Sequence, residues 1–143
     1  MTVAVKRVYE PARQSDGARV LVDRLWPRGL TKESAAIKVW LRDLAPSNEL
    51  RKWFHAQPER WDQFRKRYLN ELSASRAHAA LNRLYELQRK GKLTLLFASR
   101  NEEHNNATVL RDLLEGARKP PTGTGPSAAG AMRARRSAKA PRR

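Results

Sequence analysis

Two polar segments of the sequence hold the side chains best suited to chemistry. The first is Asp23-Arg24-Leu25-Trp26-Pro27-Arg28-Gly29, and the second covers residues 99–106. Arginine offers planar, paired hydrogen bonds to phosphate or carboxylate groups, and a nearby aspartate can act as a base or orient an arginine. These residue types together predict a site for a phosphate-bearing ligand.

Several side chains in or near these segments are candidates for that site. Asp23 and His104 are the candidates for acid–base catalysis, because His104 is the only histidine near either segment. The candidates for binding the ligand by charge, hydrogen bonding or stacking are Arg7, Arg24, Trp26, Arg28, Ser99, Arg100 and Asn105. We predict no metal site, because His55 and His78 fall at no metal-ligand spacing and cysteine is absent. We also predict no cofactor, since no glycine-rich nucleotide loop occurs.

Each candidate also has a structural interpretation. Asp23 and Arg24 could form an ion pair with each other. Trp26 could anchor its loop on the core, and Asn105 could hold a turn. His104 could be a packing residue, because a single histidine without a defined partner is weak evidence for catalysis.

The polar segments follow stretches that read as β-strands. Residues 3–8 alternate in character, residues 19–22 are typical of a short buried strand, and residues 93–98 are almost continuously apolar, as in a central strand covered on both faces. Ligands of open α/β sheets bind beyond the carboxyl ends of the strands. We therefore expect both polar segments to meet at one edge, with their arginines facing a shared cavity.

Helical patterns separate these strands. Spacings of three and four predict helices with inner faces formed by Leu50, Trp53 and Phe54, by Trp61, Phe64, Tyr68 and Leu72, by Ala77, Leu81, Leu84 and Leu87, and by Ala107, Leu110 and Leu114. The predicted helix starts are Thr31, Ser47, Pro58 and Asn101, and the predicted ends include Ala36, Gly91 and Gly116. Residues 38–44 are predicted as a further strand. The alternation predicts a small three-layer α/β domain over residues 1–116, with a mainly parallel sheet flanked by helices.

The positive charge is divided between this domain and the remaining chain. The net charge is +16, and residues 117–143 contain eight basic residues and no acidic one, which leaves +8 on residues 1–116. A basic domain favours polyanions, although lysine and arginine can also serve only to keep a surface soluble. Residues 117–143 are rich in proline, glycine and alanine, so we predict a disordered tail that contacts nucleic acid without sequence preference.

The chain shows no pattern for export or membrane insertion. Charges interrupt the N-terminal residues, and no stretch approaches the roughly 20 apolar residues of a membrane helix. The absence of cysteine excludes disulfides and thiolate chemistry. We therefore expect a cytoplasmic protein without a membrane partner, and the sequence leaves its oligomeric state open.

The polar segments also carry a family resemblance. Residues 23–29 resemble the strongest motif of the YeaO-like branch of the bacterial family called domain of unknown function 488. Residues 45–54, 64–72 and 93–107 are similar to further blocks of that family, so the resemblance spans residues 3–115. It implies an α/β fold but little mechanism, because the family is usually described as uncharacterised. The family often has aspartate where this chain has Asn101, which argues against a mechanism that needs a carboxylate there.

These observations leave three functional hypotheses. The first is an enzyme or enzyme-like domain that acts on a nucleotide or nucleic acid through residues 23–29. The second is a non-catalytic nucleic-acid-binding or regulatory protein that uses the basic domain and tail, without a helix-turn-helix. The third is a protein-binding module with an exposed aromatic surface at Trp53, Phe54 and Trp61, although core packing suits those residues better.

Overall fold

A parallel β-sheet forms the centre of the domain. A computed structural model describes residues 3–118 of the chain. The strands are β1 (Val3–Arg7), β2 (Ala18–Leu21), β3 (Val39–Trp40) and β4 (Leu93–Phe97), and their order in the sheet is β1-β4-β2-β3. Strand β4 pairs with β1 on one side and β2 on the other, and all five of its residues are buried. The predicted parallel sheet, with this apolar run at its centre, is confirmed.

Four α-helices pack through one large apolar cluster. They are α1 (Asn48–Ala56), α2 (Trp61–Leu72), α3 (Ser75–Lys90) and α4 (Asn106–Arg118). Alternate residues of a strand point to opposite faces, and the odd-numbered positions of β1 and β4 enter this cluster together with Ala18 and Val20 of β2. The buried helix residues in it include Leu50, Phe64, Tyr68, Leu84, Leu110 and Leu114. The predicted inner faces of all four helices therefore contribute to the core.

Loops and short turns cover the other face of the sheet. Its smaller cluster joins Leu21 and Leu96 of the sheet to Ala35 and Ile37 of the loop between β2 and β3. The helix predicted from Thr31 to Ala36 is instead a hydrogen-bonded turn, in which the backbone N–H groups of Thr31 and Ser34 each donate to the other residue's hydroxyl. Ala36 has a positive φ of 52°, which ends the turn before a helix can propagate.

Other boundaries also differ from the sequence predictions. The strand predicted over residues 38–44 is the two-residue β3 followed by a 3-10 turn, Arg42–Leu44. Pro58 lies in a turn before α2, which begins at Trp61. Ser47 does cap α1, because its hydroxyl oxygen accepts the backbone N–H of Leu50.

The start and end of α4 were both misplaced by the sequence patterns. Asn101 holds a turn, in which its side-chain oxygen accepts the backbone N–H groups of Glu103 and His104. Asn105 caps α4 instead, because its side-chain oxygen accepts the backbone N–H of Thr108 at 3.0 Å. The helix continues beyond the predicted end at Gly116 to Arg118. The predicted domain boundary therefore falls inside α4, and residues 119–143 of the predicted tail lie outside the described residues.

A buried ion cluster supports the face that the loops cover. Asp16 and Arg19 are 5% and 3% exposed, and the Asp16 carboxylate accepts from Arg19 Nη1 at 2.7 Å and from Lys6 Nζ at 3.0 Å. Burial acts to raise the pKa of Asp16, but hydrogen bonds from the Arg13 backbone, Lys6 and Arg19 outweigh it, so the pKa lies below its ordinary value. The cluster therefore keeps its carboxylate ionised in the folded protein.

Candidate functional site

The two polar segments meet at the carboxyl edge, the end of the sheet at which the strands finish. The Asp23 carboxylate accepts the backbone N–H of Ala98 at 2.8 Å and the side-chain amide of Asn106 at 3.0 Å. The same Asn106 amide donates to the Val22 carbonyl at 2.9 Å. Residues that follow β2 are thereby joined to the end of β4 and the start of α4, as expected for neighbouring parallel strands.

Asp23 is a half-buried carboxylate with both oxygens engaged. Burial raises its pKa above the ordinary value, while the hydrogen bonds from Asn106 and Ala98 and the charge of Arg51 oppose that rise. Its backbone carbonyl also accepts the Trp40 indole N–H at 2.7 Å. Within the described residues no ion pair joins Asp23 to Arg24, so Asp23 connects elements of the fold through amide groups.

Arg24 is a half-buried residue of this edge whose hydrogen bonding is incomplete. Its Nη2 donates to the Pro46 carbonyl at 3.4 Å, and its buried Nε has no hydrogen-bond partner among residues 3–118. A buried donor without an acceptor costs about 1–3 kcal/mol, and more for a charged group. The arrangement therefore leaves one cationic N–H without an acceptor in this part of the chain, at a position that solvent does not reach.

Arg7, Tyr9, Arg28 and Ser99 connect the remaining parts of the edge. The Arg7 guanidinium donates to the carbonyls of Ala98 and Ser99, each at 3.0 Å, and lies over the Tyr9 ring at 5.3 Å. The Tyr9 hydroxyl donates to the Arg28 carbonyl at 3.2 Å. Arg7 is thus engaged in holding β1 against the end of β4, whereas the side chains of Arg28 and Ser99 are exposed. Arg100 follows Ser99 and is also exposed.

Trp26 is both an anchor and a surface residue. Its indole N–H donates to the Leu30 carbonyl at 2.7 Å, and its ring meets that of Trp40 edge-on at 5.3 Å. These contacts agree with the loop-anchor interpretation. The side chain is nevertheless exposed to solvent, so an anchoring role does not exclude contact with a ligand.

Asn105 and His104 shape the loop that leads into α4. Asn105 is buried, and its side-chain amide donates to the Asn101 carbonyl at 2.8 Å while its oxygen caps the helix. The His104 ring stacks on Trp61 at 4.4 Å with an interplanar angle of 9°. Both residues thus have the structural contacts that were the alternatives to their proposed roles. The catalytic and ligand-binding roles of all the candidates stay predictions.

Two surface cavities lie away from the predicted site residues. One, of about 210 Å³, is lined by residues that include Asp43, Ser47, Glu71 and Arg76. The other, of about 430 Å³, is lined by residues that include Ser47, Trp53, Arg67 and Glu71. Neither is the shared arginine-lined cavity expected from the sequence. The exposed arginines Arg28 and Arg100 are instead presented to solvent. Among residues 3–118, no group of three or more acidic or histidine side chains could hold a metal ion.

Three residues of this edge were not singled out from the sequence. Asn106 contacts the Asp23 carboxylate directly, Arg51 contributes its charge from α1, and Tyr9 bridges β1 to residues 23–29. The position of Tyr9 could have been predicted, because it follows a predicted strand just as Asp23 does. The role of Arg51 has no local signal, because it depends on where α1 packs.

Within the part of the chain that is described, no helix has both the length and the apolar composition needed to cross a bilayer.

Comparisons with known proteins agree with the motif resemblance. The model of the family described as the inactive DUF488-N3 subclade matches residues 2–129. The uncharacterised protein YeaO of Escherichia coli is 46% identical over 114 residues, which cover 80% of this chain and 97% of YeaO. An uncharacterised protein of Mycobacterium tuberculosis is also 46% identical over 114 residues, covering 80% of this chain and 94% of that protein. No solved structure gives a significant match. With this similarity along nearly the whole folded domain, the chain belongs to the DUF488 family and resembles its YeaO-like members.

Proposed function

We propose that this chain is an enzyme-like domain that binds a phosphate-bearing ligand, a nucleotide or a nucleic acid, at the carboxyl edge without transforming it. The observation that carries this proposal is the buried Arg24 Nε, which lacks a hydrogen-bond acceptor among the described residues. A phosphate oxygen would supply that acceptor once the Arg24 side chain, which is only partly buried, turns its Nε towards the solvent. The guanidinium would then gain a charge-assisted hydrogen bond, which is stronger than a bond between neutral groups.

The surroundings of Arg24 favour an anion over a neutral ligand. Arg28 and Arg100 are exposed on segments that meet at the same edge, and Arg51 lies close enough to affect the Asp23 carboxyl. The domain as a whole carries a net charge of +8 over residues 1–116. Such a field raises the local concentration of phosphate groups, and arginine then recognises them by paired hydrogen bonds.

Absence of turnover is proposed because the two acid–base candidates are engaged elsewhere. The Asp23 oxygens accept from Ala98 and Asn106, and the His104 ring stacks on Trp61. A general base must instead reach the proton that it removes. The description of the matched family model as inactive supports the same interpretation.

Calorimetric titration of the full chain with inorganic phosphate, pyrophosphate and ATP tests the binding proposal. Arg24→Ala should weaken binding about tenfold or more, because a hydrogen bond to a charged group contributes about 1.5–3 kcal/mol and 1.4 kcal/mol is a tenfold change. Arg24→Lys should weaken it less, since the charge remains while the planar fork is lost. Arg89→Ala is the matched control, because Arg89 is exposed in the last turn of α3, next to the opposite edge of the sheet.

The outcomes separate this proposal from its alternatives. Equal losses for Arg24→Ala and Arg89→Ala would show that only overall charge matters, and no binding of any phosphate compound would refute the site. Turnover of ATP that Asp23→Asn abolishes would refute the non-catalytic part and restore the enzyme hypothesis. Product formation should therefore be followed in the same samples.

A further inference from the structure

Large hydrophobic side chains are exposed in one region of the described residues. Tyr9 is 43% exposed, Leu25 is 63% exposed and Trp26 is 36% exposed. All three follow β1 or β2 and therefore lie at the carboxyl edge. Single exposed apolar residues are common on proteins, but several at one edge mark an interaction surface.

Two arginine guanidinium groups lie over aromatic rings at this edge. The Arg7 guanidinium lies over the Tyr9 ring at 5.3 Å, and the Arg42 guanidinium lies over the Trp40 ring at 5.1 Å. Trp26 contacts Trp40 edge-on. We call the following set the aromatic–arginine strip: Arg7, Tyr9, Trp26, Arg28, Trp40 and Arg42. It begins beside β1 and ends beside β3, the two outer strands, which lie about 14 Å apart at the usual strand spacing.

We propose that the aromatic–arginine strip binds single-stranded nucleic acid. Aromatic faces accept unpaired bases of any sequence, and the adjacent guanidinium groups contact the backbone phosphates. This inference rests on the proposed function, since it assigns the phosphate groups at the carboxyl edge to a polynucleotide. It adds that the bases themselves are recognised, and that the ligand extends across the sheet.

The rings are held in position before any ligand binds. The Trp26 indole N–H is fixed by the Leu30 carbonyl, and the Tyr9 hydroxyl is fixed by the Arg28 carbonyl. Pre-ordered rings lose little conformational freedom on binding, which favours affinity. The nearby acidic residue Glu10 accepts the backbone N–H of Arg7 at 3.3 Å. The strip itself contains three arginines and no acid, which makes it complementary to a polyanion.

A duplex or an apolar protein surface would use this edge differently. The bases of a duplex are already stacked on one another, so the rings would add nothing to contacts between arginine and phosphate. An apolar protein partner would depend on Leu25, the most exposed of the three hydrophobic side chains. Leu25 has no aromatic face and therefore contributes little to base stacking.

Fluorescence anisotropy with the full chain tests the inference. The probe is a labelled oligothymidylate of about 15 nucleotides, compared with the same strand in a duplex, at a salt concentration that suppresses binding by charge alone. Trp26→Ala and Tyr9→Ala should each weaken binding of the single strand by about fivefold or more, the equivalent of roughly 1 kcal/mol. The matched variants Trp26→Phe and Tyr9→Phe retain an aromatic face and should retain most of the affinity. Circular dichroism checks that each variant is folded.

Several results would overturn the inference. They are unchanged binding by both alanine variants, equal affinity for single strand and duplex, or a loss with Leu25→Ser as large as that with Trp26→Ala. If Trp26→Ala does not fold, Tyr9→Ala and Arg42→Ala still decide the question. If phosphate binding depends on Arg24 but strand binding is unchanged by loss of the rings, only the aromatic–arginine strip is refuted. If strand binding depends on the rings but phosphate binding does not depend on Arg24, only the Arg24 site is refuted.

Discussion

Replacement of Asp23 separates a structural role for this carboxylate from a role in contacting a ligand. Asp23→Ala removes the acceptor for the Ala98 backbone N–H and for the Asn106 side chain. Both donors would then have to find water at a partly buried site. The end of β4 and the start of α4 would lose their shared contact with the segment that follows β2.

The expected loss of stability follows from these two contacts. A hydrogen bond to a charged group contributes about 1.5–3 kcal/mol, which places two of them at about 3–6 kcal/mol. Burial outweighs these bonds for the ionised carboxylate, since the pKa of Asp23 is raised, so the loss in Asp23→Ala comes mainly from two donors left without an acceptor, at about 1–3 kcal/mol each. We therefore expect Asp23→Ala to lower the free energy of unfolding by about 2–3 kcal/mol. Asp23→Asn should cost less than Asp23→Ala at neutral pH, since its side-chain oxygen can still accept one of the two hydrogen bonds.

The pH dependence of the Asp23→Asn variant provides an independent check. The pKa of Asp23 is higher in the folded protein than its ordinary value of 3.8, so protonation stabilises the folded wild type as the pH falls through the folded pKa towards 3.8. Asparagine does not titrate and gains nothing in this range. The difference in unfolding free energy between wild type and Asp23→Asn should therefore be larger near pH 4 than at pH 7. Other carboxylates are common to both proteins and cancel in the difference.

Urea denaturation, followed by tryptophan fluorescence at both pH values, measures these free energies. The positional role would be refuted by an Asp23→Ala variant within about 0.5 kcal/mol of the wild type, the range of an ordinary surface substitution. It would also be refuted by a difference between wild type and Asp23→Asn that shrinks on acidification. Loss of phosphate binding with unchanged stability would assign Asp23 to the ligand.

Three further predictions concern the opposite face of the sheet and the C-terminal residues. Asp16→Asn should lower the unfolding free energy by about 3 kcal/mol or more in urea titrations, because Arg19 stays buried without its anionic partner. The wild type should lose the same stabilisation as the pH falls below 3.8 through the lowered pKa of Asp16 in the folded protein. An Asp16→Asn variant that is as sensitive to acid as the wild type would contradict this. Gly17→Ala should lower the unfolding free energy by about 2 kcal/mol or more, since φ at Gly17 is +64° and a Cβ would lie 2.3 Å from the Lys92 carbonyl oxygen. An unchanged melting temperature would show that the backbone can move to remove this close contact. Deletion of residues 119–143 removes seven basic residues and should reduce the salt dependence of duplex DNA binding, whereas an unchanged slope would exclude this segment from binding.

Much of the fold follows from local patterns in the chain. Apolar runs and helical spacing predict the central strand β4 and the inner faces of the helices, because both depend on residues only a few positions apart. The position of the two polar segments follows from one further rule, since parallel neighbours end at the same edge. Helix boundaries are less certain from sequence alone. At the start of α4, for example, Asn101 and Asn105 are both plausible caps, and the turn between them decides which one acts.

The sequence by itself determined the class of the fold, the family and the set of polar residues at the carboxyl edge. Only the tertiary structure decided that Asp23 pairs with Ala98, 75 positions away, and that Arg24 Nε is left without an acceptor among the described residues. Only it showed which aromatic rings are exposed beside which arginines. The physical reason is that residue type and spacing specify what a side chain can bond. Its actual partners depend on the packing of distant segments, which no local pattern records.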